Sequence, residues 1–154
     1  GHEVERIQVR TARPQDIFAI FGAPYFIKID IEGYDGLVVG AAIELPQPPC
    51  YPSVETGDLP IFEQLVGAGY DGFKLINQRT VPELCATAPA REGLTIEHAF
   101  AFGSSGPFGE ETPGTWTSAD DTRAFLIAHF EARAGRPGPD VDWWDLHAKH
   151  GSVE

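Results

Sequence analysis

The sequence predicts an α/β domain built on a mostly parallel sheet, and three observations lead there. Short apolar, β-branched runs alternate along the chain with segments whose apolar residues recur at helical spacing. Glycine and proline clusters punctuate the boundaries between them. The 154-residue length, with 42% hydrophobic and 11% aromatic residues, is enough for one packed core.

The elements follow in order. Ile7 to Thr11 alternates like a short strand, and Pro14 suits the first turn of a helix running to about Phe21 and closed by Gly22. Tyr25 to Ile31 is an apolar run that carries Lys28 and delivers Asp30 and Glu32 at its end before Gly33. From Asp35 to about Glu44, Leu37, Val38, Ala41 and Ala42 mark a helix, which Pro46 to Pro49 cannot continue. Tyr51 to Thr56 is the next strand. The segment Gly57-Asp-Leu-Pro60 then opens a helix with Ile61, Phe62, Leu65 and Val66 on its apolar face, ending at Gly67 to Gly69. Phe73 to Asn77 is the strand after that. This alternation predicts crossover helices covering both faces of the sheet.

The second half is less regular. Gln78 to Gly93 is broken by Pro82 and Pro89, Ile96 to Phe102 reads as a strand, and Gly103 to Thr117 is a polar, glycine-rich loop. Ser118 caps a helix through about Ala134, with acids in its first turn, and Gly135 to Pro139 ends it. Asp142 to Lys149 is a short aromatic-bearing segment whose Trp143 and Trp144 anchor the tail to the body. Residues 103–154 thus form a C-terminal extension of a single domain spanning 3–154. Gly1-His2 reads as the scar of affinity-tag removal.

Chemistry concentrates at the strand ends, because ligands of open α/β sheets bind outside the carboxyl ends of the strands. Asp30 and Glu32, two apart, project to one face if the strand continues, and Glu55 ends the adjacent strand, about 5 Å away. Asp30 and Glu32 are the candidate catalytic acids; the opposing reading makes them acceptors for the free amides of the next helix. Lys28 either neutralises one of them or packs its stem under a helix. Asn77 is a hydrogen-bonding wall or a cap. Three acids in one crevice suit a divalent cation, but no ligand pattern requires one, and no metal is assigned. The loop bearing Ser104 and Ser105 lacks the Lys-Ser/Thr of a phosphate-binding loop and carries Glu110-Glu111, so an acceptor-substrate lid is its functional reading.

The run Lys28-Ile-Asp-Ile-Glu-Gly33 followed by Asp35 resembles the Lys-x-Asp-x-Glu-Gly-x-Glu signature of the FkbM family of S-adenosylmethionine-dependent O-methyltransferases. Further similarities lie in Arg10-Thr11 with Asp16, in Tyr51 to Glu55, in Gly69-Tyr70 before Phe73 to Asn77, in Ser104 to Glu110 and in Asp142 to Ala148. The resemblance implies a Rossmann-like class I methyltransferase sheet, mostly parallel, with an antiparallel edge strand at about Ile96 to Phe102. It also implies S-adenosylmethionine as cofactor and a hydroxyl of a sugar or natural product as acceptor. Lys28, Glu55, Asn77, Ser104 and Ser105 would then face the acceptor. The glycine-rich cofactor turn of such enzymes does not precede Val9, so the chain resembles the C-terminal half of one, and its cofactor-binding residues are unassigned. The alternative is a non-catalytic binding or assembly module retaining part of that fold.

Composition bounds the partners. With 11 basic against 23 acidic residues the formal charge is −12, which disfavours nucleic acid and anionic lipid surfaces. No apolar run is long enough to span a membrane. Cys50 and Cys85 show no paired-ligand spacing and read as idle thiols of a reducing cytoplasm. A half-sheet with an open edge leaves homodimerisation as an expectation.

Overall fold

The computed structural model describes residues 6–55, 59–85, 90–92, 98–133 and 143–150. The architecture is α/β: helices α1 (Pro14–Phe21), α2 (Asp35–Ile43), α3 (Leu59–Gly67) and α4 (Ala119–Arg133) accompany strands β1 (Phe26–Ile29), β2 (Tyr51–Glu55), β3 (Gly72–Asn77) and β4 (Trp144–Lys149). The sheet order is β1-β2-β4-β3. Strand β2 pairs parallel with β1, whereas β4 runs antiparallel to both of its neighbours, so β1, β2 and β3 point the same way.

Each helix begins where local chemistry allows it. Pro14 opens α1, its fixed φ suiting the first turn, and Gly22 at φ 80° ends it. At α4, the Ser118 hydroxyl accepts from the Asp121 amide at 3.1 Å and donates to the Asp121 carboxylate at 2.7 Å, so the first turn is capped reciprocally.

The two sheet faces differ in kind. One carries Ile29, Val54, Leu146, Ala148 and Phe73, which pack with Val39 of α2, Phe62 and Leu65 of α3 and Leu126 of α4 into the main core. Both parallel crossovers lay their helix on this side, because right-handed connections advancing in one direction across a sheet stay on one face. The other face is polar. Register places Lys28, Ser53, His147 and Lys74 in one row across the four strands, with Glu55 and Asp145 opposed in the next. Loop residues cover it: Phe108 stacks on Phe26 at 4.4 Å between ring centroids, and Trp116 lies 6.2 Å from Tyr51.

Four expectations are corrected. The sheet is mixed rather than largely parallel, with one parallel pair among the described residues, and helices line one face rather than both. Residues 7–11 are extended coil, because no described strand lies beside them to take their hydrogen bonds. In the predicted edge strand from Ile96 to Phe102, the described residues make one isolated bridge, Cys85 to Ala99, and residues 96 and 97 lie outside the described set. The antiparallel strand is instead β4, the segment read as an anchor, and it occupies the sheet interior. Its Trp144 does anchor α4, packing edge-on against Phe125 and His129. The polar alternation of Asp145 and His147 resembles a solvated segment only while the cover over the polar face is unknown. The helix stop at Gly135 to Pro139, Asp142, and Gly1-His2 lie outside the described residues.

Candidate functional site

The carboxyl ends of β1 and β2 lie side by side because the two strands are parallel and in register, Ile29 beside Val54. Asp30 therefore emerges next to Glu55, and the turn after β1 returns Glu32 to the same place. One carboxylate oxygen from each of Asp30, Glu32 and Glu55 lies within 4.8 Å of the others. Asp30 and Glu32 are exposed, while Glu55 is half-buried. Exposed acids often gather like this without a cation, and no step below uses one.

The route by which Glu32 arrives differs from the sequence reading. β1 ends at Ile29, and Glu32 stands in a turn at φ 48°, a left-handed backbone that costs a side-chain-bearing residue about 1 kcal/mol. Gly33 follows at φ 92°, where glycine is at home. Asp35 holds this turn: its buried carboxylate accepts from the Ile31 amide at 3.0 Å and the Gly33 amide at 3.1 Å. No side chain caps α2, so neither Asp30 nor Glu32 takes the capping duty considered for it; Asp35 instead binds the turn amides that precede the helix.

Behind the acids lies a buried ion pair. Lys28 reaches across β2 to β4, where its Nζ sits 2.7 Å from Asp145 Oδ1. At that distance the ammonium draws the Asp145 carboxyl toward ionisation by hydrogen bonding and charge together. Burial pushes the Asp145 carboxyl up, against the pull of Lys28. Glu55, opposite Asp145 in the ladder, is pushed up to about 7, first by burial and then by its hydrogen bond to Asp30 and the Asp30 charge. In the row below, His147 Nε2 and Ser53 Oγ lie 3.4 Å apart. Burial, with Lys28 and Lys74 on either side, brings the His147 imidazole down to about 3, so it is neutral.

A second polar knot closes the far end of this face. Lys74 donates to the Thr112 carbonyl at 2.7 Å and the Thr112 hydroxyl at 3.0 Å, and lies 4.3 Å from the centre of the Trp116 ring. Lys149 reaches Glu110 at 2.6 Å, and Glu110 also accepts from Trp116 at 2.9 Å. Burial of Glu110 opposes ionisation, but Lys149 and Trp116 together hold its pKa below the usual range. This knot fastens loop 108–117 over the sheet.

The remaining sequence candidates are dispersed. Asn77 ends β3, but β4 separates β3 from β2, and its register partner Trp144 puts it on the apolar face. Its side chain accepts from the Arg79 amide at 3.0 Å, which is the capping alternative. Ser104 donates to the Ala101 carbonyl at 2.6 Å in a local turn, and Ser105 is exposed in the same loop. Asp145 is the site residue that sequence reading missed. Its signal was the alternation Asp145-Leu146-His147-Ala148, a strand pattern masked by the adjoining tryptophans.

On the helix side of β1, Ile31 lines an open cleft of ≈ 760 Å³ with Ile27, Tyr34, Leu37 and Val38 on one side and Ile17 and Phe18 of α1 on the other; none of the three acids lines it. Arg13 and Asp16 stand at its wall, paired at 2.7 Å. Among the described residues no helix is long and apolar enough to cross a membrane. Compared with known proteins, the chain matches no family model, no curated protein and no solved structure.

Proposed function

We propose that the chain carries the acceptor side of an S-adenosylmethionine-dependent O-methyltransferase similar to the FkbM family, acting on a hydroxyl of a small molecule. The observation that carries this reading is the convergence of Asp30, Glu32 and Glu55 at the carboxyl ends of adjacent parallel strands. Of the cofactor's chemistry, the exposed carboxylates of Asp30 and Glu32 suit the cationic sulfonium, while the residues that would hold the rest of it are not assigned in this chain.

S-adenosylmethionine supplies an electrophilic methyl group. The chain's own residues would then have two tasks: Glu32 and Asp30 would orient the acceptor hydroxyl, and the ionised Glu55 carboxylate beside Asp30 would take the hydroxyl proton as the methyl group leaves the sulfonium sulfur, as a neutral thioether, for that oxygen. A base that ionises near 7 is matched to a neutral medium, strong enough to accept a proton yet largely available at pH 7.5.

Calorimetry with S-adenosylmethionine on the protein extended upstream of Glu3 tests the reading. Binding, accompanied by methyl transfer to a polyol or sugar acceptor that Asp30→Asn with Glu55→Gln abolishes, is the expected result. No heat of binding in that protein leaves the assembly module as the better account.

A further inference from the structure

Two strand-forming edges face solvent in this chain without meeting each other. One is the outer edge of β1, which no strand among the described residues covers. The other is the segment from Ile7 to Thr11, which alternates apolar and polar residues yet pairs with no described strand and leaves Ile7 74% and Val9 71% exposed. Thr11 to Arg13, at the root of this arm, share with Ile27 and Ile31 the walls of the open cleft, so the cleft stands between arm and edge within one copy.

Arm and edge are complementary on both faces. Along β1, Ile27, Ile29 and Ile31 lie on the helix side, whereas Lys28 and Asp30 belong to the polar face. A strand laid on this edge continues both faces, so Ile7 and Val9 belong beside Ile27 and Ile29. That requirement also places the charges. Parallel pairing then sets Arg10 beside Asp30, and antiparallel pairing sets Arg6 there, so in either direction an arginine arrives at the cluster of Asp30, Glu32 and Glu55. Residues 6–13 hold three arginines and no acid, in a chain whose formal charge is −12.

We propose that the outer edge of β1 is the docking site for residues 6–11 of a second copy of this chain, the two copies exchanging arms so that an arginine of each stands at the acid cluster of the other. The occupant is a second copy because the chain itself carries a segment with the length, the alternation and the charge that the edge calls for. The inference goes beyond the proposed function and is read from mass alone, so a chain that transfers no methyl group leaves it standing.

Sedimentation equilibrium of the 154-residue chain tests it, and a dimer is the expected result. Ile7→Asn with Val9→Asn should weaken that dimer on the order of 100-fold or more, since two apolar side chains lose their burial at each edge. Asp30→Arg should also dissociate it, although this substitution reduces the net negative charge and would favour any unspecific association. Adding Arg6→Asp and Arg10→Asp to Asp30→Arg should restore the dimer, against the added repulsion of the more negative chain. A monomeric wild-type chain, a dimer untouched by Ile7→Asn with Val9→Asn, or no recovery in the charge-swapped variant each overturns the proposal. All the substituted side chains are exposed, and circular dichroism checks that the variants fold. Should Asp30→Arg unfold, the arm variant still decides.

Discussion

Glu32 is the residue whose backbone is least comfortable, and that discomfort is informative. A glutamate at φ 48° occupies a conformation that glycine adopts without penalty. Glu32→Gly should therefore raise stability by up to about 1 kcal/mol in thermal or denaturant melts, while lowering methyl transfer if the side chain orients the acceptor. Loss of stability instead would show that the Glu32 carboxylate is structurally engaged. Glu55 supplies the pH prediction. As a base with a midpoint raised to about 7, it is inactive when protonated, so kcat/KM should climb as pH rises through that value and level off above it. Glu55→Gln should cost on the order of 100-fold or more and remove that limb. A rate profile flat between pH 6 and pH 8 would assign the base elsewhere. At this scale the acids were legible because their type and position at a strand end carry the signal. Asp35's capture of the turn amides was not, since several acids stood within reach of them.

At the scale of elements, the helices and the first three long strands were readable because apolar periodicity and glycine or proline boundaries are local properties. β4 was not. In its row, Ser53, His147 and Lys74 are polar yet buried and Lys28 is half-buried, because loop 108–117 is pinned above through Lys74–Thr112 and Lys149–Glu110. His147 makes this row pH-sensitive. Folded, it resists protonation down to about 3, whereas unfolded it takes a proton near 6.5, so stability is lost as pH falls through that window. Glu55 works in the opposite sense, holding its proton up to about 7 when folded and so adding stability as pH falls from there toward 4.5. His147→Gln should thus flatten the acid loss of melting temperature between pH 6 and pH 4, and Glu55→Gln should steepen it, each by on the order of 5 °C. Identical acid sensitivity in wild type and both variants would mean that neither group is buried as described.

For the molecule as a whole, the outer edge of β1 is unpaired among the described residues, and the segments on either side of it in the chain carry exposed apolar side chains. Ile17, Ile20, Phe21, Tyr25, Ile31, Tyr34 and Leu37 all lie between α1 and the start of α2. An open edge flanked by such a patch favours association, opposed here by the formal charge of −12. The chain should self-associate increasingly with added salt in sedimentation experiments, and Ile20→Lys with Phe21→Glu should reduce it at unchanged net charge. A monomer at high salt would show that the patch is too irregular to be covered by a second copy.

The linear chain by itself determined where helices and parallel strands form, that the body is acidic, and that Asp30, Glu32 and Glu55 gather at the carboxyl ends of the first two strands. Those features depend on neighbours within a few residues. Only the tertiary structure decided that residues 144–149 enter the sheet between β2 and β3 and that Lys28 is committed to Asp145 rather than to Asp30. Each of these contacts closes a long loop, and its partner is selected by what remains to be buried once the local elements have formed.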